Sequence, residues 1–354
     1  MRTHDISATA AFPILSATAA CAVALLAVLP AQAQDASRSM TAVPATVPPT
    51  GSATIAVAAP TVIAGDVQPG AKPMAEEVPD LRTPLERLWA EPDGVGFLPY
   101  RQSYVMVTQT SAPDNAPQSA NPVNNVPYTY DQQHTEIKFG FSLKAMVVSS
   151  SILEHHNSVW FTYTQQSYWQ AFDALHSRPF IESDYQPELV FSHRFADALE
   201  ARRGFQPLLF NLSLTHQSNG QSDPRSRSWN RITGQLALVD RLADDHSLAV
   251  LIRPWYRIRE PVASDNNPDI GHYLGYGDVE AIYWNGDNML SLLARVRSAQ
   301  LDFSTPLLFL GEGKPKKNSL QLHAQLFTGY GESLIDYRQH HTTFGLGVSI
   351  PYGL

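Results

Sequence analysis

Cysteine is nearly absent from this chain: the 354 residues hold a single one, Cys21. It falls within the apolar N-terminal run AFPILSATAACAVALLAVLPAQA, so a chain that loses this run has no thiol and no disulfide framework. Positive charge is scarce too. Lys and Arg number 25 against 33 Asp and Glu, and the net charge of −8 argues against nucleic acid as a partner, because it offers no field for a phosphate backbone. Beyond the N-terminal run no segment has the ~20 consecutive apolar residues of a membrane-spanning helix. A phosphate loop is missing as well. GEGKPKK, Gly311 to Lys317, lacks the spacing and the following helix that such a loop needs, and reads as a solvated hairpin tip.

What is present begins with a secretory signature. Arg2 precedes an apolar middle from about Phe12 to Leu29, and Ala31-Gln32-Ala33 supplies a small-x-small ending, so residues 1–33 read as a signal peptide cleaved after Ala33. An uncleaved anchor is the weaker alternative, because Pro30 and the AQA site favour cleavage. Residues 34–85 form an Ala/Pro/Thr/Val-rich flexible linker that shows neither helical nor strand periodicity as far as about Pro79. At its end TPLERLWAE suits a short helix, with Thr83 as cap and Pro84 in the first turn. The folded body spans residues 86–354.

After about Leu98 the chain alternates apolar and polar residues in long segments parted by polar or Gly/Pro/Asn/Asp-rich turns. Ile137, Phe139, Phe141, Leu143 and Ala145 alternate with Lys138, Gly140, Ser142 and Lys144. Leu320, Leu322, Ala324 and Leu326 alternate with Gln321, His323 and Gln325, and Phe344, Leu346, Val348 and Ile350 with Thr343, Gly345, Gly347 and Ser349. Successive side chains of a strand point to opposite faces, so each segment has one oily and one polar face. A soluble sandwich would alternate in the same way. The segments, however, suit the ~9–11 tilted residues that cross a bilayer, and aromatics cluster near their ends in YWQ, PWY and IYW, as interface girdles do. The expected fold is all-β: a transmembrane antiparallel β-barrel of about 12 strands in the bacterial outer membrane, with both ends periplasmic. Between Asn288 and Leu310 two strands have to share few residues.

One stretch combines an oily row with reactive side chains. In LLFNLSLTHQSNGQSDPRSRSWNR, residues Leu208, Phe210, Leu212, Leu214, His216 and Ser218 share one parity, and Asn211, Ser213, Thr215 and Gln217 the other. On the following segment Asn230 lines up with Ile232, Leu236 and Leu238, opposite Arg231, Thr233 and Gln235. Antiparallel pairing around the loop Asn219 to Arg227 can bring Asn230 level with His216. A histidine with a serine hydroxyl on one ring nitrogen and an amide oxygen on the other is the arrangement that activates a weak nucleophile. An isolated H-x-S is common in solvated loops. Three such residues on the oily parity of adjacent strands are costly unless they serve a function.

These residues resemble the active-site motif of the bacterial outer membrane phospholipase A family. HQSNGQSDPRSRSWNR carries the likeness, supported by FIESDYQPEL, RPWYRIREPVASDNNPDIGHYLGYGD and GYGESLIDY, and together they run from about Leu98 to the C-terminus. The resemblance implies a twelve-stranded antiparallel barrel with Ser218 as nucleophile, His216 as general base, Asn230 as its orienter and the Gly220 N–H at the oxyanion. It further implies calcium, held between two associated barrels by the Gln221 carbonyl and Ser226 of one chain and Ser177 of the partner subunit. A second calcium position, where the family pattern has Asp, falls on Asn266. Gln221 stands where that pattern has Arg, and the C-terminal residue is Leu354 rather than an aromatic.

Gln165 shares the oily parity of Val159, Phe161 and Tyr163, so it is either wetted by lipid headgroups or bonded across a lipid-embedded interface; the resemblance favours a dimer contact. The leading expectation is a calcium-dependent serine hydrolase acting on the acyl esters of phospholipids and lysophospholipids. A passive porin or adhesion barrel and a secreted soluble β-sandwich hydrolase are the rivals. A barrel of this size is expected to be filled by side chains such as Arg231, Gln235 and Arg253.

Overall fold

The computed structural model of the protein describes residues 82–92, 96–153, 156–195, 204–307 and 320–351. The expected signal peptide, nearly all of the expected linker, GEGKPKK and Leu354 lie outside the described residues.

Thirteen strands make one antiparallel sheet. They are β1 (Phe97–Pro99), β2 (Tyr104–Thr110), β3 (Thr135–Val148), β4 (Asn157–Trp169), β5 (Phe180–Arg194), β6 (Gln206–Ser218), β7 (Ser228–Ala243), β8 (His246–Ile258), β9 (Gly277–Asn285), β10 (Asn288–Arg295), β11 (Ser298–Pro306), β12 (Gln321–Gly329) and β13 (His341–Ser349). Each pairs with its sequence neighbour from β2 to β13, and β13 pairs back onto β2, with Leu346 opposite Val107. The sheet therefore closes on twelve strands, as expected. β1 and β2 are two pieces of one edge, both laid against β3. Closure is what permits such a sheet in lipid, since it leaves no unpaired edge. The crowded stretch after Asn288 resolves into β10 and β11, a hairpin turning at Val296 and Arg297.

Burial along the strands runs opposite to that of a soluble protein. Phe141, Leu189, Leu292, Leu326, Phe344 and Leu346 are exposed, whereas Lys138, Lys144, Thr162, Ser192, Ser304 and His323 are completely buried. Apolar side chains face outward because their solvent is hydrocarbon, and polar ones turn into the lumen, where they can pair with each other. Lys138 contacts Glu332 and Gln325, each at 2.7 Å; Arg253 contacts Asp278 at 2.6 Å and Glu280 at 2.8 Å.

Both ends of the lumen are filled. The helix α1 (Pro84–Leu88) forms at TPLERLWAE with the expected Thr83 cap, Pro84 in its first turn, and a reciprocal bond from the Thr83 N–H to Glu86. Its Leu85 and Leu88, with Trp89, are buried against Trp160, Val190, Leu251 and Trp284 inside the barrel. Lys144 Nζ lies over the Trp89 and Trp160 rings, 4.1 Å from each centroid, and donates to the Leu88 carbonyl. At the other end the segment between β12 and β13 enters the barrel. Leu334 N donates to Asp184 (3.0 Å), Ile335 N donates to Glu182 (3.0 Å), and Leu334 and Tyr337 pack with Trp229, Trp255 and Leu274. This segment, the 170–179 turn, the 219–227 loop and the loop after β8 all lie at one end of the barrel, opposite α1 and the end of β13.

Two details of the sequence reading change. Leu208 is 2% exposed and faces inward rather than along the oily row, because the β6–β7 register shifts between Pro207 and Leu209 and flips the parity there. The aromatic clusters also divide between faces. Tyr168, Trp255 and Trp284 are buried, while Tyr256 is exposed, so only one aromatic of such a neighbouring pair can belong to a girdle.

Candidate active site

β6 and β7 pair continuously from Leu209 to Ser218, and the register sets His216 directly opposite Asn230. His216 is exposed and Asn230 half-buried, while the residues between them in sequence parity, Thr215, Trp229 and Arg231, are buried. Both therefore stand on the outer wall. The His216 Nδ1 and the Asn230 Oδ1 are 2.8 Å apart. Beneath them, the Gln217 Oε1 accepts from Trp229 Nε1 (2.9 Å) and from Arg231 Nη2 (3.0 Å), so inward side chains of the same two strands lock the register that aligns the outward pair.

Ser218 is the last residue of β6, on the same row as His216. No hydrogen bond joins the two side chains among the described residues. Two residues along a strand span roughly 7 Å, so the hydroxyl must lean back along the row to reach the imidazole, and such contacts tighten only when substrate is bound. The expected contact on the second ring nitrogen is thus open, while the amide contact on the first is made.

The 219–227 loop is held by buried side chains. Asn219 Oδ1 accepts from Gln221 N (3.3 Å) and Arg227 N (2.9 Å), and its amide donates to the Arg225 carbonyl (2.9 Å). Arg227 is fully buried and donates to the Ser226 carbonyl (2.9 Å) and the Asn124 carbonyl (3.0 Å). Gly220 has φ +62°, and a Cβ there would sit 2.8 Å from the Tyr185 ring, so the position demands glycine on two counts. Its N–H donates to no described partner, which leaves it available to a developing oxyanion beside Ser218.

Gln221 and Ser226 lie on this same loop. The Gln221 Nε2 donates to the Ile181 carbonyl (3.0 Å) and to Glu182 (2.9 Å), which fixes the side chain and leaves its oxygens, side-chain and main-chain, as acceptors. A carbonyl and a hydroxyl are hard oxygen donors of the type Ca²⁺ prefers, and the set holds no thiolate or imidazole. It is too small alone: among the described residues no cluster of three or more His, Cys, Asp or Glu could hold a metal. Ser177 lies in the separate 170–179 turn, with φ +61°. The Asn266 Nδ2 donates to Asp223 Oδ1 at 3.2 Å, which leaves the Asn266 Oδ1 as a neutral oxygen donor. Both positions offer oxygen donors that suit calcium if further oxygens join them, the second through the neutral Asn266 amide in place of a carboxylate.

Two neighbours of this site escaped the sequence reading. Tyr185 pairs with Ser218, Gln165 with Tyr185 and Phe141 with Gln165, so all four stand level on the outer wall. Gln165 is bonded within its own chain, to the Tyr163 hydroxyl (2.9 Å) and Ser167 (3.0 Å). Asn230 Nδ2 donates to Glu260 Oε1 at 3.3 Å. The signal for Glu260 was its parity with the exposed Ile252 and Tyr256 at the tip of β8, but a charged residue beside a turn carries no distinctive pattern.

Known proteins match this architecture. The phospholipase A1 family matches residues 88–350. Phospholipase A1 of Escherichia coli K12 is 33% identical over 258 residues, which cover 71% of this chain and 80% of that protein. A putative phospholipase A1 of Neisseria meningitidis serogroup B is 32% identical over 286 residues, 77% of this chain and 72% of that protein. The Salmonella typhi outer membrane phospholipase, solved as a dimer with bound calcium, aligns with a TM-score of 0.62 at 29% identity, covering 77% of this chain and 98% of its own. The family match, the shared identity and the closed twelve-strand barrel lead to one conclusion: the chain belongs to the phospholipase A1 family and is a phospholipase of the bacterial outer membrane.

Proposed function

We propose that the chain hydrolyses acyl esters of phospholipids and lysophospholipids with Ser218, His216 and Asn230, on the lipid-facing wall of the barrel and in a calcium-dependent manner. The observation that carries this reading is the 2.8 Å contact between His216 Nδ1 and Asn230 Oδ1 on the outer wall. With Nδ1–H donating to the amide oxygen, Nε2 keeps its lone pair and is the base. Ser218 Oγ attacks the ester carbonyl as its proton passes to His216 Nε2. The negative charge that develops on the carbonyl oxygen is met by the Gly220 N–H. His216 then protonates the departing glycerol oxygen, leaving an acyl group on Ser218, and a water that gives its proton to His216 releases the fatty acid. Asn230 keeps the resting site neutral, which lowers the cost of exposing it to hydrocarbon.

Gln221, through its carbonyl, and Ser226 would hold calcium, completed by Ser177 of the partner subunit; when bound, the cation supplies positive charge facing the oxyanion. A dimer supplies what one chain lacks, and the level row Phe141, Gln165, Tyr185 and Ser218 makes the wall beside the nucleophile the natural contact surface. Phospholipid at the outer leaflet is the substrate, since the site lies at the barrel end opposite both α1 and the end of β13, which face the periplasm in this reading.

Fatty-acid release from phospholipid–detergent mixed micelles tests the proposal, using purified wild type, Ser218→Ala, and wild type with a calcium chelator. Release by wild type alone is expected. Equal release in all three would end the reading.

A further inference from the structure

Glu260 continues the outward row of β8, in which Ile252 and Tyr256 are 40% and 59% exposed. Asn230 pairs with Ile258, so Glu260 stands two residues beyond, within diagonal reach of the Asn230 side chain. Its Oε1 accepts from Asn230 Nδ2 at 3.3 Å, and among the described residues this is its only hydrogen bond and it forms no ion pair. Arg257, whose charge acts on Glu260, is paired with Asp265 at 2.8 Å. His216, Asn230 and Glu260 therefore form a line across the outward faces of three consecutive strands.

Asn230 alone cannot set the direction of proton flow. Its amide can present either Oδ1 or Nδ2 to His216, and the second choice would make Nδ1 the acceptor and leave Nε2 protonated, unable to act as base. An ionised carboxylate has no proton to donate, so it faces the Nδ2 end and leaves Oδ1 for the imidazole. It also puts one negative charge behind an otherwise neutral set, where it favours the imidazolium that forms as Ser218 attacks.

We propose that Glu260 is a positioning residue, acting through Asn230 to fix the tautomer of His216 and to favour its protonated form during acyl transfer. The role rests on the Ser218, His216 and Asn230 reading above. Burial, with Asp265 beside it, pushes the Glu260 carboxyl above the ordinary carboxylate range, against the opposing pull of Arg257, the Asn230 amide and His216.

The test is a double-substitution cycle, measured as fatty-acid release from mixed micelles by full-length protein, with β-sheet circular dichroism as the check on folding. Glu260→Ala is expected to lower kcat ~10- to 100-fold with KM nearly unchanged, and Glu260→Gln, which still accepts from Asn230, by less than about tenfold. On an Asn230→Ala background the Glu260→Ala change should cost less than about twofold, because the residue through which it acts is gone. The acid limb of kcat/KM should change in both Glu260 variants, since each removes a negative charge from behind the imidazole and its amide partner. The inference is overturned if Glu260→Ala matches wild type in kcat and pH profile, or if it costs the same with and without Asn230. Ser218→Ala, run alongside, separates the two failures: if it stays active the underlying site is wrong, and if it alone is inactive only the role of Glu260 is lost.

Discussion

His341 and His216 each face an oxygen acceptor at close range, on opposite sides of the same wall. His341, inside, is 4% exposed; its Nε2 lies 2.7 Å from Glu332, which also receives Lys138 and Thr343 at 2.7 Å. His216, outside, has Asn230 on Nδ1 and nothing on Nε2 among the described residues. The interior cluster is charged, and partners surround it. The exterior one is held from one side and left open on the other. His341 is closed off by its partners, whereas the open nitrogen of the exposed His216 faces what lies outside the barrel. The same histidine chemistry thus serves stability in one case and reactivity in the other.

Substitutions can break this contrast in either direction. The largest expected effect is on the outer wall: His216→Ala should lower fatty-acid release on the order of 10⁴-fold or more while leaving the urea unfolding free energy within about 0.5 kcal/mol of wild type. Inside, Lys138→Met should do the reverse, because it leaves Glu332 without its nearest cation. A loss of ~3–5 kcal/mol in unfolding free energy is expected, with activity per folded molecule retained. Gly220→Ala tests the loop that joins β6 to β7. A side chain there meets both φ +62° and the Tyr185 ring, so the N–H should turn away from the oxyanion and kcat fall ~10²-fold, with a smaller change in KM.

The smallest effect is the response of stability to acid. Burial raises the Glu332 carboxyl, but Lys138 and His341 outweigh it and hold it at about 2. A carboxylate held below its unfolded value contributes stability that is complete above about pH 5 and is lost as pH falls toward the folded value. The urea midpoint of wild type should therefore fall over that range, and that of Glu332→Gln should fall less steeply.

Much of this was legible in the chain itself. Period-two alternation in β3, β12 and β13 identified which residues face lipid, and the same rule set His216, Ser218 and Asn230 on one wall before any pairing was known. The rule failed at Leu208, where a register shift inserts a residue that alternation cannot anticipate. For Trp255 and Trp284, aromatic clustering near strand ends suggests a girdle, but both are buried, because parity turns them inward. Glu260 stayed hidden because its role depends on a third strand.

Periodicity by itself determined that this chain is built of strands with one oily and one polar face, and which face each reactive residue takes, because strand geometry assigns faces by parity alone. Which residue meets which across the wall was decided by the tertiary structure. Hydrogen-bond register between strands set His216 against Asn230, Asn230 within reach of Glu260, and Ser218 level with Tyr185 and Gln165. Register depends on turns, bulges and inward packing far from the residues it aligns, and no local pattern encodes that sum.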